Sequence, residues 1–144
     1  MLLTTMILYG GADMNIKDFK VGDRVFIVDS GWRSVISIKA ELLKCQTAEA
    51  TVMAVTRKYV TVDWRNAKFG NCKYLDGHPM FLTKNEYNSN DMMFKSRDDF
   101  ERYIKILDMC QEIRSFCSCS IDSRVAPDKI EALYAIIKEC EQND

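Results

Sequence analysis

Up to Thr83 the apolar residues of this chain fall in short strand-like runs, and from Phe100 onward they recur at steps of three and four. A period that switches once, instead of alternating, argues against a doubly wound α/β fold. It predicts strands first and helices after, an α+β arrangement. The clearest strand text is Ala50 to Val55, a polar step at Thr56-Arg57, and Lys58 to Asp63. Two β-rich runs so joined read as a hairpin, with Val60 and Val62 on one face and Tyr59 and Thr61 on the other. An earlier strand, Arg24 to Val28, follows a turn at Gly22-Asp23 and ends at Asp29-Ser30-Gly31. Further short strands are predicted around Lys68-Phe69-Gly70 and from Pro79 to Thr83, with residues 32–48 as an extended loop carrying a short strand or helical turn. Five short strands with little helix between them favour a small closed barrel.

The helical part opens with Thr83-Lys84-Asn85-Glu86, which has the form of a capping box and predicts a brief helical turn. Ser96-Arg97-Asp98-Asp99 predicts the start of a longer helix, its acids complementing the helix dipole. Phe100, Tyr103, Ile104, Leu107, Cys110, Ile113 and Phe116 or Cys117 then read as one amphipathic stripe. Ser118 to Val125 is the connection, and Pro127 opens a last helix with Ile130, Leu133, Tyr134, Ile137 and Cys140 on its inner face. Two antiparallel helices cannot bury both stripes alone, so this hairpin is expected to pack on the barrel. The expected layout is a non-native leader over residues 1–13, a barrel over 14–83 and a helical region over 84–144. The leader reading rests on Met1 to Tyr9, an apolar run too short to span a bilayer and lacking a basic flank. Gly10-Gly11-Ala12-Asp13 before Met14 resembles a translated ribosome-binding sequence, which makes Met14 the expected start; a true N-terminal strand or anchor is the alternative.

Twenty Lys and Arg against 21 Asp and Glu leave a net charge of −1, so no global field steers the chain toward phosphate or anionic membranes. Six cysteines are expected as reduced thiols, with Cys110, Cys117 and Cys119 lacking the paired knuckles of a zinc site. The one histidine, His78, stands in an apparent turn without a sequence-level partner. Asp98, Asp99 and Glu101 serve the dipole better than acid–base chemistry. The chain is therefore read as no enzyme, with no metal and no cofactor. Binding is a different matter. Arg57, Lys58 and Tyr59, with Trp64, Arg65, Lys68, Phe69 and Lys73 further along, interleave cations with aromatics as single-strand-binding barrels do. The alternative is that Tyr59, Trp64 and Phe69 fill the barrel and the lysines solubilise its edges. Trp32 and Arg33 are the rival candidates, as residue types favoured at protein interfaces.

Phe19 to Val28, Ala50 to Val62 and Phe81 to Tyr87 together resemble a group of small phage and Gram-positive bacterial β-barrel domain proteins, over roughly residues 16 to 140. More remotely, Val21-Gly22-Asp23-x-Val25, Ala50-x-Val52 and Tyr59-x-Thr61-Val62 are similar to KOW and Tudor-like barrels of ribosome- and transcription-associated proteins. The chain departs from the KOW pattern by a long insertion after Val28 and by lacking a glycine before Ala50. The resemblance implies a small SH3-like antiparallel β-barrel followed by a C-terminal helical hairpin, a mobile-element origin and no known catalytic residues. The function expected is that of a non-enzymatic phage or prophage regulatory protein in the cytoplasm of the host bacterial cell. Its partner would be a host protein or nucleoprotein complex, with inhibition of a host defence or transcription system as one form. An RNA or single-stranded-DNA-binding barrel is the alternative, and a small thiol enzyme a third; no membrane partner is expected.

Overall fold

The computed structural model describes residues 15–31, 38–71, 80–84 and 91–142. They fall in two compact units, Met1–Leu107 and Asp108–Asp144. In the first, a 3-10 turn (Ile16–Asp18) precedes strand β1 (Arg24–Asp29), the short helix α1 (Lys39–Leu42), and strands β2 (Gln46–Val55), β3 (Val60–Val62), β4 (Lys68–Gly70), β5 (Leu82–Lys84) and β6 (Met92–Phe94). All neighbours are antiparallel, and β6 pairs back onto β1 to close a six-stranded barrel. Helix α2 (Arg97–Cys117) begins in this unit.

Local chemistry explains the elements that the sequence announces. Gly22, at φ +97°, supplies the left-handed step of the Lys20–Asp23 turn, which closes through the Asp23 N–H to the Lys20 carbonyl at 3.0 Å. The turn feeds β1 into its pairing with β2, where Val25 lies opposite Ala50 and Ile27 opposite Ala48. Ser96 caps α2, its Oγ accepting the Asp99 N–H at 3.2 Å.

Three expectations need correcting. The barrel has six strands, because Met92–Phe94 closes it and carries its boundary past Thr83. Thr83 and Lys84 are not in a helical turn: they belong to β5, and Thr83 pairs with Gly70 and Met92. The rest of that capping-box motif lies outside the described residues. Between β1 and β2 the chain holds the helical turn α1, one of the two elements expected there, but β2 starts at Gln46, four residues before Ala50.

Two apolar clusters hold this unit together. Ile16, Phe19, Val25, Ile27, Val52, Val60, Val62, Phe69, Leu82 and Met93 belong to one, the barrel interior. Phe26, Val28, Leu42, Phe81, Met92, Phe94, Phe100 and Tyr103 form the other. Successive residues of β1 therefore enter different clusters, and the strand is buried on both faces. Its outer face is covered by the first two turns of α2. Phe100 stacks on Phe26 at 5.4 Å between ring centroids and meets Phe94 edge-on at 5.3 Å. Tyr103 meets Phe81 edge-on at 5.2 Å. The open ends of β1 and β6 are tied by a buried carboxylate: Asp91 Oδ1 accepts the Ser30 N–H at 2.8 Å and the Ser30 hydroxyl at 3.0 Å.

In the second unit, α2 runs out to Cys117, a 3-10 turn spans Ile121–Ser123, and helix α3 (Pro127–Gln142) follows, with Pro127 in its first turn as the sequence predicts. Arg124 closes the connection. Its guanidinium donates to the Phe116 carbonyl at 2.7 Å and the Ser120 carbonyl at 3.3 Å and covers the Phe116 ring at 4.3 Å, placing positive charge on the C-terminal end of α2.

The aromatic cover on β1 makes a definite prediction. Phe100→Ala empties the centre of the outer cluster and is expected to cost about 3–5 kcal/mol in urea unfolding. Arg102→Ala, on the exposed side of the same helical segment, should change stability by under about 0.5 kcal/mol. Equal, small losses would show that α2 is not part of the barrel's core.

Candidate functional site

Two surfaces carry binding chemistry, and the basic one lies on the barrel. The β2–β3 connection, Thr56 to Tyr59, closes through the Thr56 N–H to the Tyr59 carbonyl at 2.8 Å. Thr56 Oγ1 also accepts the Lys58 and Tyr59 N–H groups at 3.3 and 3.1 Å. Satisfying its own backbone, this loop presents the Arg57 and Lys58 side chains to solvent, while Tyr59 is half-buried. Lys68 stands exposed on β4 opposite Thr61.

The β3–β4 connection is built differently. The Ala67 N–H donates to the Trp64 carbonyl at 3.0 Å, and Arg65 (φ 55°) and Asn66 (φ 51°) are both left-handed, a type I′ turn. Asparagine suits such a position; arginine pays on the order of 1 kcal/mol for it. Two contacts offset that cost. Arg65 pairs with Asp29 at 3.1 Å, and its guanidinium lies 4.5 Å from the centroid of Trp64. Lys84 approaches the same ring at 6.0 Å, and the indole itself packs on the barrel interior. A base stacking on Trp64 would have to displace Arg65.

Antiparallel connectivity sends these groups to different places. The β2–β3 and β3–β4 connections sit at opposite ends of β3, so a three-residue strand, about 10 Å long, stands between Arg57 and Lys58 on one side and Trp64 and Arg65 on the other. Of the other candidates, Trp32, Arg33 and Lys73 lie outside the described residues, as does His78.

The apolar surface is on the second unit. Helix α3 has no buried residue, although it carries Ile130, Leu133, Tyr134, Ile136 and Ile137. Tyr134 is 60% exposed and Ile137 54%; on α2, Met109 is 57% exposed and Ile113 61%. Between the end of α2 and α3 runs an open groove of about 690 Å³, lined mainly by Phe116, Val125, Ala126, Ala132, Leu133 and Ile136, with Arg124 and Lys129 in its wall. The unit bears four basic residues against eight acidic ones.

A family model for the phage ProQ C-terminal-like domain matches residues 12–142, nearly the whole chain. The chain belongs to the phage ProQ C-terminal-like domain family. Comparison with curated proteins and with solved structures finds no match. The phage association and the small barrel implied by the sequence resemblance thus hold for this phage ProQ C-terminal-like domain. No helix among its described residues is long and apolar enough to cross a membrane.

The sequence reading treats the apolar positions of α2 as one inner stripe and so misses the exposed face of this domain. The signal was present. From Leu107 through Cys110 and Ile113 to Phe116 every step is three residues, and each such step falls about 60° short of a full turn. The stripe therefore winds off the face that holds Phe100 and Tyr103. In α3 the adjacent pairs Leu133-Tyr134 and Ile136-Ile137 widen the apolar face beyond what one packing partner covers.

The roles of the barrel residues separate by mutation. Arg57→Glu with Lys58→Glu should leave the unfolding free energy in urea within about 0.5 kcal/mol of wild type, because both side chains are exposed. Trp64→Ala should cost about 2–4 kcal/mol, because its ring packs on the interior. An unchanged midpoint for Trp64→Ala would free the indole for a binding role.

Proposed function

We propose that this chain is a non-enzymatic binding protein of a phage that acts on a protein partner through the apolar face of its helical hairpin. The observation that carries this is α3, sixteen residues long with none buried. Exposed apolar patches of this kind mark interaction surfaces. Seven large side chains are roughly half exposed: Met109, Ile113, Phe116, Leu133, Tyr134, Ile136 and Ile137. Of these, Phe116, Leu133 and Ile136 line one open groove. A phage chain of this kind would engage a host protein or nucleoprotein complex, and occlusion of a host defence or transcription component is the form of regulation it suits.

A second reading, binding of RNA or single-stranded DNA by the barrel, is favoured by the solvated Arg57 and Lys58, which form no ion pair among the described residues. One experiment separates the two. Tagged wild-type chain is expected to retain a host protein from bacterial lysate after nuclease treatment. Ile113→Glu with Ile137→Glu should lose that protein, and Arg57→Glu with Lys58→Glu should keep it. Loss on nuclease treatment, or loss only in the Arg57/Lys58 variant, would transfer the function to the barrel.

A further inference from the structure

The groove between the end of α2 and α3 is opposite in charge to the unit that contains it. The unit holds four basic residues and eight acidic ones, yet two of the four bases, Arg124 and Lys129, line the groove, and among the described residues none of the acids does. Helix geometry accounts for the separation. Ala132, Leu133 and Ile136 follow Lys129 at offsets of three, four and seven and share its face of α3, whereas Glu131 falls about 160° round the helix from it. Both cations are uncompensated. Arg124 donates to the Phe116 and Ser120 carbonyls, neutral groups that leave its charge in place, and Lys129 is exposed. Neither makes an ion pair among the described residues.

We infer that the occupant of this groove is an acidic amphipathic helix of a partner protein, its apolar side chains against Phe116, Leu133 and Ile136 and its carboxylates beside Lys129 and Arg124. This deepens the function proposed above and rests on it. An open groove of about 690 Å³ admits several large side chains, as a helix laid along it supplies once per turn. The lining cations select the sign of the partner: a carboxylate there meets uncompensated positive charge, and a lysine meets like charge. The acids elsewhere on the unit act over a longer path. Glu131 stands across a helix about 10 Å thick, which is about one Debye length in about 0.1 M salt, so the groove cations dominate at contact. A second copy docked groove to groove would set Lys129 and Arg124 against their own counterparts, and like charge disfavours it.

The test uses the full chain and three synthetic amphipathic helical peptides that share one Leu/Ile face and carry glutamate, glutamine or lysine on the other. Fluorescence anisotropy in about 0.1 M salt should show the glutamate peptide binding about tenfold more tightly than the glutamine peptide, with the lysine peptide weakest. Raising the salt to about 1 M should shrink the difference. Lys129→Gln should remove most of the preference and keep the apolar affinity. Lys138→Gln removes the same charge from the opposite side of α3 and should keep the preference. Leu133→Glu should remove binding altogether. Equal binding of all three peptides, or a preference for lysine set by the acidic surplus of the unit, overturns the inference while leaving the apolar face as a docking surface. Equal effects of Lys129→Gln and Lys138→Gln overturn it as well. Failure of every peptide, with the chain running as a dimer that Leu133→Glu dissociates, gives the face to a second copy and overturns it too. Failure of every peptide by a monomeric chain overturns both this inference and the proposed function.

Discussion

The barrel of this chain depends on an aromatic contact outside it. Six short strands, four of them three residues long, bury a modest interior by themselves. What makes β1 and β6 core strands is that their outer faces are buried as well, under Phe100 and Tyr103 of α2. Five rings, Phe26, Phe81, Phe94, Phe100 and Tyr103, meet with centroids 5.2–5.8 Å apart, in mostly tilted or edge-on geometry. The helix is thus an integral wall of the fold, and Ser30 with Asp91 fastens the strands it covers.

Features with local causes were legible in the sequence. The Gly22 turn, the Ala50 to Asp63 hairpin, the Ser96 cap and the Pro127 helix start each carry their reason within a few residues. Met92-Met93-Phe94 does not: it is a three-residue run with no β-branched member, and pairing with β1 and β5 makes it a strand. The same non-local pairing overrides the capping-box text at Thr83 and Lys84. The continuous burial of β1 is legible as an apolar run, but the helix that causes it comes some seventy residues later.

The candidate surfaces were legible in part. Arg57 and Lys58 are as exposed as a polar hairpin step predicts, yet chain reversal puts Trp64 at the other end of β3, with Arg65 over its ring. Residues adjacent in the text are thus divided between the two ends of a three-residue strand. On the helices the error ran the other way. Apolar residues at steps of three look like a core stripe, and the drift of that stripe round the helix leaves Ile113 and Met109 in solvent. Exposure there is the observation on which the proposed binding role rests.

The dependence of the barrel on α2 is tested most directly by ending the chain at two points. A chain stopped after Leu107 keeps Phe100 and Tyr103, and one stopped after Ser96 loses both. Urea unfolding followed by near-ultraviolet circular dichroism should show a single cooperative transition for the first. The second should have no fixed tertiary signal, because β1 and β6 would expose their outer faces to water. A chain ending at Ser96 that unfolds as cooperatively as the longer one would contradict the account.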